Sequence, residues 1–203
     1  MAFTVGPHHD LLTEKFAIDC EFMRSNHGQL LGRVSIVNYY GKTVYDTFVC
    51  YPEPIIVTKT DEEFSGIRPE DVTPKNAQPF KEVQNSLLDL LRGGIVVGHD
   101  IEKDIGAISM NLDGKIGTPE VRMRAMAIQF DLRRRDTQKF SGFRRYANPN
   151  SRHGPTLKVL ASAVLGRSIK QGRVSSVEDA VATMEIYRKF EDGIEEEQGE
   201  ARL

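Results

Sequence analysis

Residues Phe16-Ala17-Ile18-Asp19-Cys20-Glu21-Phe22 place two carboxylates two residues apart inside a run otherwise suited to burial. Read as a β-strand, the run alternates its side chains between faces. Phe16, Ile18, Cys20 and Phe22 then point one way, and Ala17, Asp19 and Glu21 the other. Two ionised carboxylates beside a core are costly unless something positive is bound there. Hard oxygen ligands of this kind suit Mg²⁺ or Mn²⁺. The plainer reading is an edge strand with a solvated acidic face, and an isolated Asp-x-Glu does not decide between the two. Further carboxylates at compatible positions would.

The chain has 203 residues, enough for one domain with a sizeable core. The simplest division is a loose leader over 1–14, a domain over 15–190 and an acidic disordered tail over 191–203. A hydrophobic share of 39% and a formal charge of −2 fit an ordinary soluble protein, but the charge is uneven. From Val121 to Arg152 there are nine Arg and Lys against two Asp, whereas Glu191 to Leu203 holds six acids and one Arg. The first stretch could face a polyanion or only solvent; the second reads as a solvated tail. Cys20 and Cys50 are the only cysteines, both in apolar runs, which suggests small buried residues in a reducing compartment. No run reaches transmembrane length and no secretory signal is legible, so an intracellular protein without a membrane partner is expected.

Leu31 to Asn38 and Lys42 to Cys50 are rich in β-formers and flank Tyr39-Tyr40-Gly41, which predicts a hairpin or meander after the first strand. Residues 51–78 carry Pro52, Pro54, Pro69 and Pro74 and read as loop. Phe80, Val83, Leu87, Leu88 and Leu91 recur at helical spacing, and Gly93-Gly94 supply a stop. Ile95-Val96-Val97 fits a buried parallel strand, with Asp100 placed to cap a helix over 101–110. Pro155 opens another helix that stops at Gly166. Ser175 and Glu178 have the spacing of a capping box for a last helix running to about Phe190. Strands first, then alternating helices and strands, predict an α/β domain with a mixed sheet.

Two more acids stand out by position. Asp104 lies near the start of the helix after the 95–97 strand, and ligand sites in open α/β sheets favour the carboxyl ends of such strands. Asp179 lies early in the last helix, on a line with Ala182, Thr183 and Ile186 that is too apolar for a plain solvent face. Either acid alone could simply favour a helix N-terminus through the macrodipole.

The order and flanks of these acids resemble the DEDD family of 3′→5′ exonucleases, in its RNA exonuclease 4 and interferon-stimulated 20-kDa exonuclease branch. Ala17-Ile18-Asp19-Cys20-Glu21-Phe22-Met23 resembles the first motif of that branch. Gly32-Arg33-Val34-Ser35-Ile36-Val37-Asn38 and Gly41-Lys42-Thr43-Val44-Tyr45-Asp46 follow as they do there. Ser65-Gly66-Ile67-Arg68-Pro69-Glu70 is similar to its Ser-Gly-Ile loop, and Val97-Gly98-His99 with Asp104 to its second motif. Arg135-Asp136-Thr137-Gln138 and Pro155-Thr156-Leu157-Lys158 match later landmarks, and Ser176-Val177-Glu178-Asp179-Ala180 the third motif. The resemblance covers about Phe16 to Phe190.

It implies an RNase H-like fold, a mixed five-stranded sheet flanked by helices, with Asp19, Glu21, Asp104 and Asp179 gathering two divalent cations, Mg²⁺ or Mn²⁺. Asp19 would bridge the pair, Glu21 and Asp179 would hold the nucleophile-side ion, and Asp104 the other. The implied substrate is the 3′ end of single-stranded RNA, or less readily DNA, and the product a nucleoside 5′-monophosphate. Phe22, Met23, Arg33, His99, Arg144, Arg145 and Tyr146 are the expected substrate contacts. Rings of Phe143 and Tyr146 beside Arg144 and Arg145 would combine charge with base stacking. A nuclear or nucleolar setting is suggested by the resemblance alone.

The chain departs from that branch at one position. The histidine that serves as general base stands five residues before the last Asp, and here that residue is Val174. The tyrosine variant would place its base at Ser175, and no histidine follows His153. Neither His99 nor His153 is read as a replacement. A positioned base contributes about 10²–10⁴-fold, so hydrolysis should be impaired while metal and nucleic-acid binding persist. The alternative is a catalytically silent pseudo-exonuclease serving as a nucleic-acid-binding or protein-interaction module. Extra residues between Met110 and Arg134, with Arg122, Arg124, Arg133 and Arg134 in or beside them, are expected to extend the substrate or partner surface.

Overall fold

The computed structural model describes residues 11–109, 132–150 and 152–199. The first strand, β1 (Lys15–Ser25), is central, with β2 (Gly28–Asn38) and β3 (Thr43–Cys50) following as an antiparallel meander. On its other side β6 (Ile95–Gly98) and β7 (Arg133–Asp136) run parallel to it. The order β3-β2-β1-β6-β7 is the expected mixed five-stranded body. Two short strands extend it: β4 (Val57–Lys59) on the far end of β1, and β5 (Gln78–Pro79) beside β3.

Alternation along β1 builds two cores. Phe16, Ile18 and Cys20 pack with Phe80, Val83, Leu87 and Leu91 of helix α2 (Phe80–Leu91) and with Ile101, Ile105 and Ile108 of α3 (Ile101–Ile108). Ala17 on the opposite face joins Val37, Val97, Ala180, Met184 and Tyr187 under the long helix α5 (Ser176–Lys189). Each fully buried large side chain stabilises the fold by roughly 1.5–3 kcal/mol. In the 51–78 region a one-turn helix α1 (Glu62–Ser65) and a 3₁₀ turn (Pro69–Val72) interrupt the loop.

Several helix ends differ from expectation. Asp100 sits at the cap of α3 in a left-handed conformation (φ 63°) without a side-chain cap, its carboxylate instead pairing with Lys103. The helix expected from Pro155 begins at Leu157, because Thr156 is the cap and its side chain accepts from Val159 N. This helix, α4 (Leu157–Leu160), continues as a π turn (Ala161–Leu165) to Gly166. The Ser175–Glu178 capping box does not form, since the Glu178 carboxylate accepts the Lys170 N–H at 2.9 Å.

The largest correction concerns the acidic tail. Its first residues form a helix, α6 (Glu191–Gln198), docked on the sheet through the buried Ile194. Glu191 accepts from Lys15 and from Tyr39 Oη (2.6 Å), and Glu195 forms a two-point pair with Arg135 (2.9 and 2.6 Å). Gln198 exchanges hydrogen bonds with the Asp136 backbone. Glu191 and Glu195, which looked solvated, are ligands for Lys15 and Arg135, while Asp192, Glu196 and Glu197 are exposed; only 200–203 of the expected tail lie outside the described residues.

The leader is corrected likewise. Residues 1–10 lie outside the described residues, but Leu11, Thr13 and Glu14 accept hydrogen bonds from Asn38, Tyr39 and Ile95. Arg122 and Arg124 also lie outside them. Arg133 and Arg134 belong to β7, where they pair with Glu14 and Glu102. Register places Arg133 level with Ile95 and hence with Lys15, the end of β1 before Asp19. These two arginines therefore do not extend a surface at the acids.

Candidate active site

Asp19 and Glu21 leave β1 on the Ala17 face, the side covered by α5, and α5 carries Asp179 in its first turns. Carboxylate oxygens of Asp19, Glu21 and Asp179 all lie within 4.8 Å of one another. Asp104, in the first turn of α3, stands beside this trio and its Oδ1 accepts the Cys20 N–H at 3.1 Å. The structure thus brings three of the four expected acids into one group and anchors the fourth on the backbone between Asp19 and Glu21.

Burial and mutual repulsion load this group. Desolvation pushes the Asp19 carboxyl well above the carboxylate range, and the charges of Asp104, Asp179 and Glu21 push it further. Desolvation raises Glu21 to about 7, against the attraction of Lys170. Asp104 is raised well above its ordinary value by burial, with the Cys20 N–H opposing. Asp179 is raised by burial and held back by Lys170. Glu21 Oε1 and Asp179 Oδ1 are buried without a hydrogen-bond partner. Orphaned, clustered carboxylate oxygens are the donor set a hard divalent cation takes. Asp19, Glu21 and Asp179 therefore fit such an ion, with Asp104 beside them.

The motif residues around the acids explain one another physically. A β-bulge on β2 falls at Gly32, between the pairs Glu21–Arg33 and Phe22–Leu31. A Cβ on Gly32 would come within 2.4 Å of Ile67 Cδ1, so the glycine admits the buried isoleucine of the Ser-Gly-Ile loop. Gly66, at φ 66°, lies so close to the chain that a Cβ would meet the Val174 carbonyl oxygen at 2.1 Å. Arg173 completes the seam by donating to Gly66 O (2.6 Å) and pairing with Asp71. The start of α5 is fixed to β2, where the Ser35 hydroxyl donates to Asp46 and meets the Ser176 hydroxyl, both at 2.7 Å.

The expected substrate contacts fare unevenly. Phe22 lines a groove of about 280 Å³ next to Glu21, together with Arg24 and Phe64. Met23 borders the same groove but is buried, so it floors the groove and offers little surface. Arg33 is committed to Asp46 by two hydrogen bonds (2.9 and 2.8 Å) and lies over the Phe48 ring, which makes it a support. His99 is half-buried at the end of β6, bonded through Nδ1 to Thr137 Oγ1 (3.0 Å), and desolvation lowers its pKa. Arg144 and Arg145 are exposed on a 3₁₀ turn (Ser141–Tyr146), with the Arg145 guanidinium over the Tyr146 ring. Phe143 is a correction: it is fully buried, edge-on to Phe140 and Phe190, and cannot stack a base.

Two residues escaped the sequence reading. Phe64 is 73% exposed at the groove beside Glu21, an unusual position for a phenyl ring. Lys170 places its ammonium 2.5 Å from Asp179 Oδ2. Neither belongs to a periodic pattern; the nearest signal was Lys170 lying nine residues before Asp179. A larger cleft, about 530 Å³ beside Tyr39 and Arg188, lies away from the acids. Its Arg167 and Glu185 are paired with each other, and it holds none of the orphaned carboxylate oxygens.

No protein-family model matches the chain. RNA exonuclease 4 of Gibberella zeae is 38% identical over 182 residues, which are 88% of this chain and 50% of that protein. RNA exonuclease 4 of Saccharomyces cerevisiae is 38% identical over 85% of this chain and 53% of its own length. The Homo sapiens protein of that name is 32% identical over 87% of this chain and 37% of its own. The chain spans about half the length of the first two relatives, and less of the third. Among solved structures, the Neurospora crassa Pan2 catalytic unit, with its protease and nuclease domain, matches with a TM-score of 0.64 at 25% identity, covering 91% of this chain and 28% of that one. The Saccharomyces cerevisiae Pan2 pseudoubiquitin hydrolase-RNA exonuclease module in complex with AAUUAA RNA gives 0.63 at 22% identity over 88% and 28%, a likeness of fold. With the acids, the Ser-Gly-Ile loop and the sheet order in place, the chain is similar over most of its length to the RNA exonuclease 4 proteins and shares its fold with part of the Pan2 catalytic unit.

Proposed function

We propose that this chain is a metal-dependent 3′→5′ exonuclease domain that hydrolyses single-stranded RNA from its 3′ end to nucleoside 5′-monophosphates. The observation that carries the reading is the trio of mutually close carboxylates at Asp19, Glu21 and Asp179, in a chain similar to RNA exonuclease 4 proteins. Asp19, Glu21, Asp179 and Asp104 are the residues that would hold Mg²⁺ or Mn²⁺. Two ions bound there would lower the pKa of a water and offset charge building on the phosphodiester.

The chain's own residues supply the rest. The groove between Phe22 and Phe64 gives a terminal base an apolar wall beside Glu21. Arg144 and Arg145 offer exposed charge to phosphates, and the Tyr146 ring beside them a stacking surface. RNA is preferred to DNA in this reading because the relatives are named for RNA. Free, buried Cys20 and Cys50 fit an intracellular setting. No helix among the described residues is long and apolar enough to cross a membrane.

Val174 favours a second reading. An aliphatic side chain cannot take the proton of an attacking water, and His99 is held by Thr137 at the end of β6. The silent alternative keeps RNA and metal binding and loses turnover. A 3′-labelled oligonucleotide assay in Mg²⁺ and Mn²⁺ separates the two. The parent should be slow, Val174→His faster by about 10²–10⁴-fold, and Asp19→Asn inactive. Matched slow rates in parent and Val174→His would refute the missing base as the limit, and an active Asp19→Asn would refute the site.

A further inference from the structure

Lys170 is a cation built into a pocket of acids. Its Nζ lies 2.5 Å from Asp179 Oδ2; the Asp179 side chain is 2% exposed and the lysine side chain 36%. The ammonium therefore reaches inward from a stem that is partly in solvent. Its charge also acts on Asp19 and Glu21, the other two members of the trio. Lys170 adopts φ 58°, a left-handed conformation unfavourable for a non-glycine residue, so its neighbours must hold the backbone there. Its N–H is bound by the Glu178 carboxylate one residue before Asp179, and the preceding Ile169 is buried in the core beneath α5. The anchored backbone fixes where the side chain starts, and the flexible four-carbon stem leaves its end free to swing.

We propose that Lys170 is an internal counter-ion of the carboxylate pocket, whose ammonium competes with a divalent cation for Asp179 and so sets how readily the pocket loads metal. The proposal rests on the acids being a metal site. One monovalent head group does not satisfy the pocket, since Glu21 Oε1 and Asp179 Oδ1 remain unpartnered beside it. A divalent ion gains more from the same oxygens, but it must displace the lysine and also overcome the repulsion of a nearby positive charge. Once displaced, the ammonium stands at the mouth of the pocket, where an incoming phosphate would meet it.

The test is Mn²⁺ binding by the full chain without nucleic acid, followed by electron paramagnetic resonance of the free ion. The ammonium and a divalent ion would repel each other across the same carboxylates, where the effective dielectric is well below that of water, so removing the ammonium should tighten Mn²⁺ binding at least tenfold. Lys170→Gln and Lys170→Met should both show that gain, and Lys170→Arg should stay near the parent. A lysine that served only to tie the 166–175 loop to α5 would leave the Mn²⁺ affinity unchanged or weaken it on removal. Asp19→Asn keeps the two readings apart. If it abolishes binding while both neutral variants bind like the parent or more weakly, the lysine proposal is overturned and the metal site stands. If no variant binds Mn²⁺, or if Asp19→Asn binds like the parent, both are overturned.

Discussion

Replacing Glu21 with glutamine should stabilise the metal-free protein at alkaline pH, by an amount the site itself sets. The Glu21 carboxyl is pushed from an ordinary 4.5 to about 7, first by burial, then by Asp179, with Lys170 and Arg33 opposing. For an acid whose folded pKa lies above its unfolded one, the native state holds the proton longer. Its contribution is therefore most favourable below about pH 4.5, declines as the pH rises, and is fully lost above about pH 7. The separation, at 1.36 kcal/mol per unit, makes the ionised carboxylate cost the fold about 3 kcal/mol at pH 8. Glutamine keeps the shape without the charge, so at pH 8 the variant should be more stable by up to that amount. At roughly 2–4 °C per kcal/mol for a chain of this size, the melting temperature should rise by roughly 6–12 °C. The assay is thermal and urea unfolding of both proteins with a chelator at pH 4.5, 6 and 8. The difference between them cancels the groups that do not feel the Glu21 charge, and it should be small at pH 4.5 and largest at pH 8. Added Mn²⁺ should then stabilise the parent more than the variant. A gap that is the same at all three pH values would refute the claim that the buried acids strain the empty pocket.

Three further outcomes follow from other parts of the molecule. Reversing Arg144 and Arg145 to glutamate should weaken single-stranded RNA binding and flatten its salt slope by about 1–1.5, which fluorescence anisotropy across a salt series would read; an unchanged slope removes that turn from the footprint. Gly66→Ala must place a Cβ against the Val174 carbonyl at a left-handed φ, so it should cost about 2–5 kcal/mol in urea unfolding. A loss under about 0.5 kcal/mol, within the range of an ordinary surface substitution, would deny the close approach. Glu195→Ala leaves Arg135, whose side chain is 8% exposed, without its two-point partner, and should destabilise by about 2–3 kcal/mol. Hydrogen exchange should then show α6 opening before the sheet, and protection equal to the parent's would refute its docking role.

How much of this was legible depended on whether a residue's partner was close in sequence or in the pattern. The alternation Phe16–Phe22 is a local, two-residue period, and it alone gives the strand, its two faces and the shared side of Asp19 and Glu21. Asp104 and Asp179 needed the order of motifs, because no spacing tells that α3 and α5 bring them to the same strand. The tail was misread because composition overrode periodicity. Glu191, Ile194, Glu195 and Gln198 recur at i, i+3, i+4 and i+7, one face of a helix, and their partners Lys15, Tyr39 and Arg135 are distant in the chain. Phe143 was misread for the opposite reason. It sits among arginines in sequence, but 3₁₀ geometry turns it inward to Phe140 and Phe190 while its neighbours face out. Lys170 had only its distance of nine residues from Asp179 as a signal, since a charged loop residue next to Gln171 and Gly172 looks like any surface turn.

Val174 and the acids are held in different ways, and that difference bears on what the site lacks. The acids are fixed by rigid elements: Asp19 and Glu21 by the central strand, Asp179 by a helix tied to β2 through Ser176 and Ser35. Val174 lies in the loop entering that helix, yet its backbone is clamped as firmly, with Gly66 against its carbonyl and Arg173 bound to Gly66 O and Asp71. None of these contacts uses the valine side chain. In the proposed exonuclease, the backbone that would present a base at 174 is therefore already held in position, and the valine side chain is the point of departure. A site degraded beyond use would be expected to lose the seam between 65–67 and 173–174 together with the base. Here the seam is intact, so the proposed function predicts that metal and RNA binding separate from turnover at one side chain.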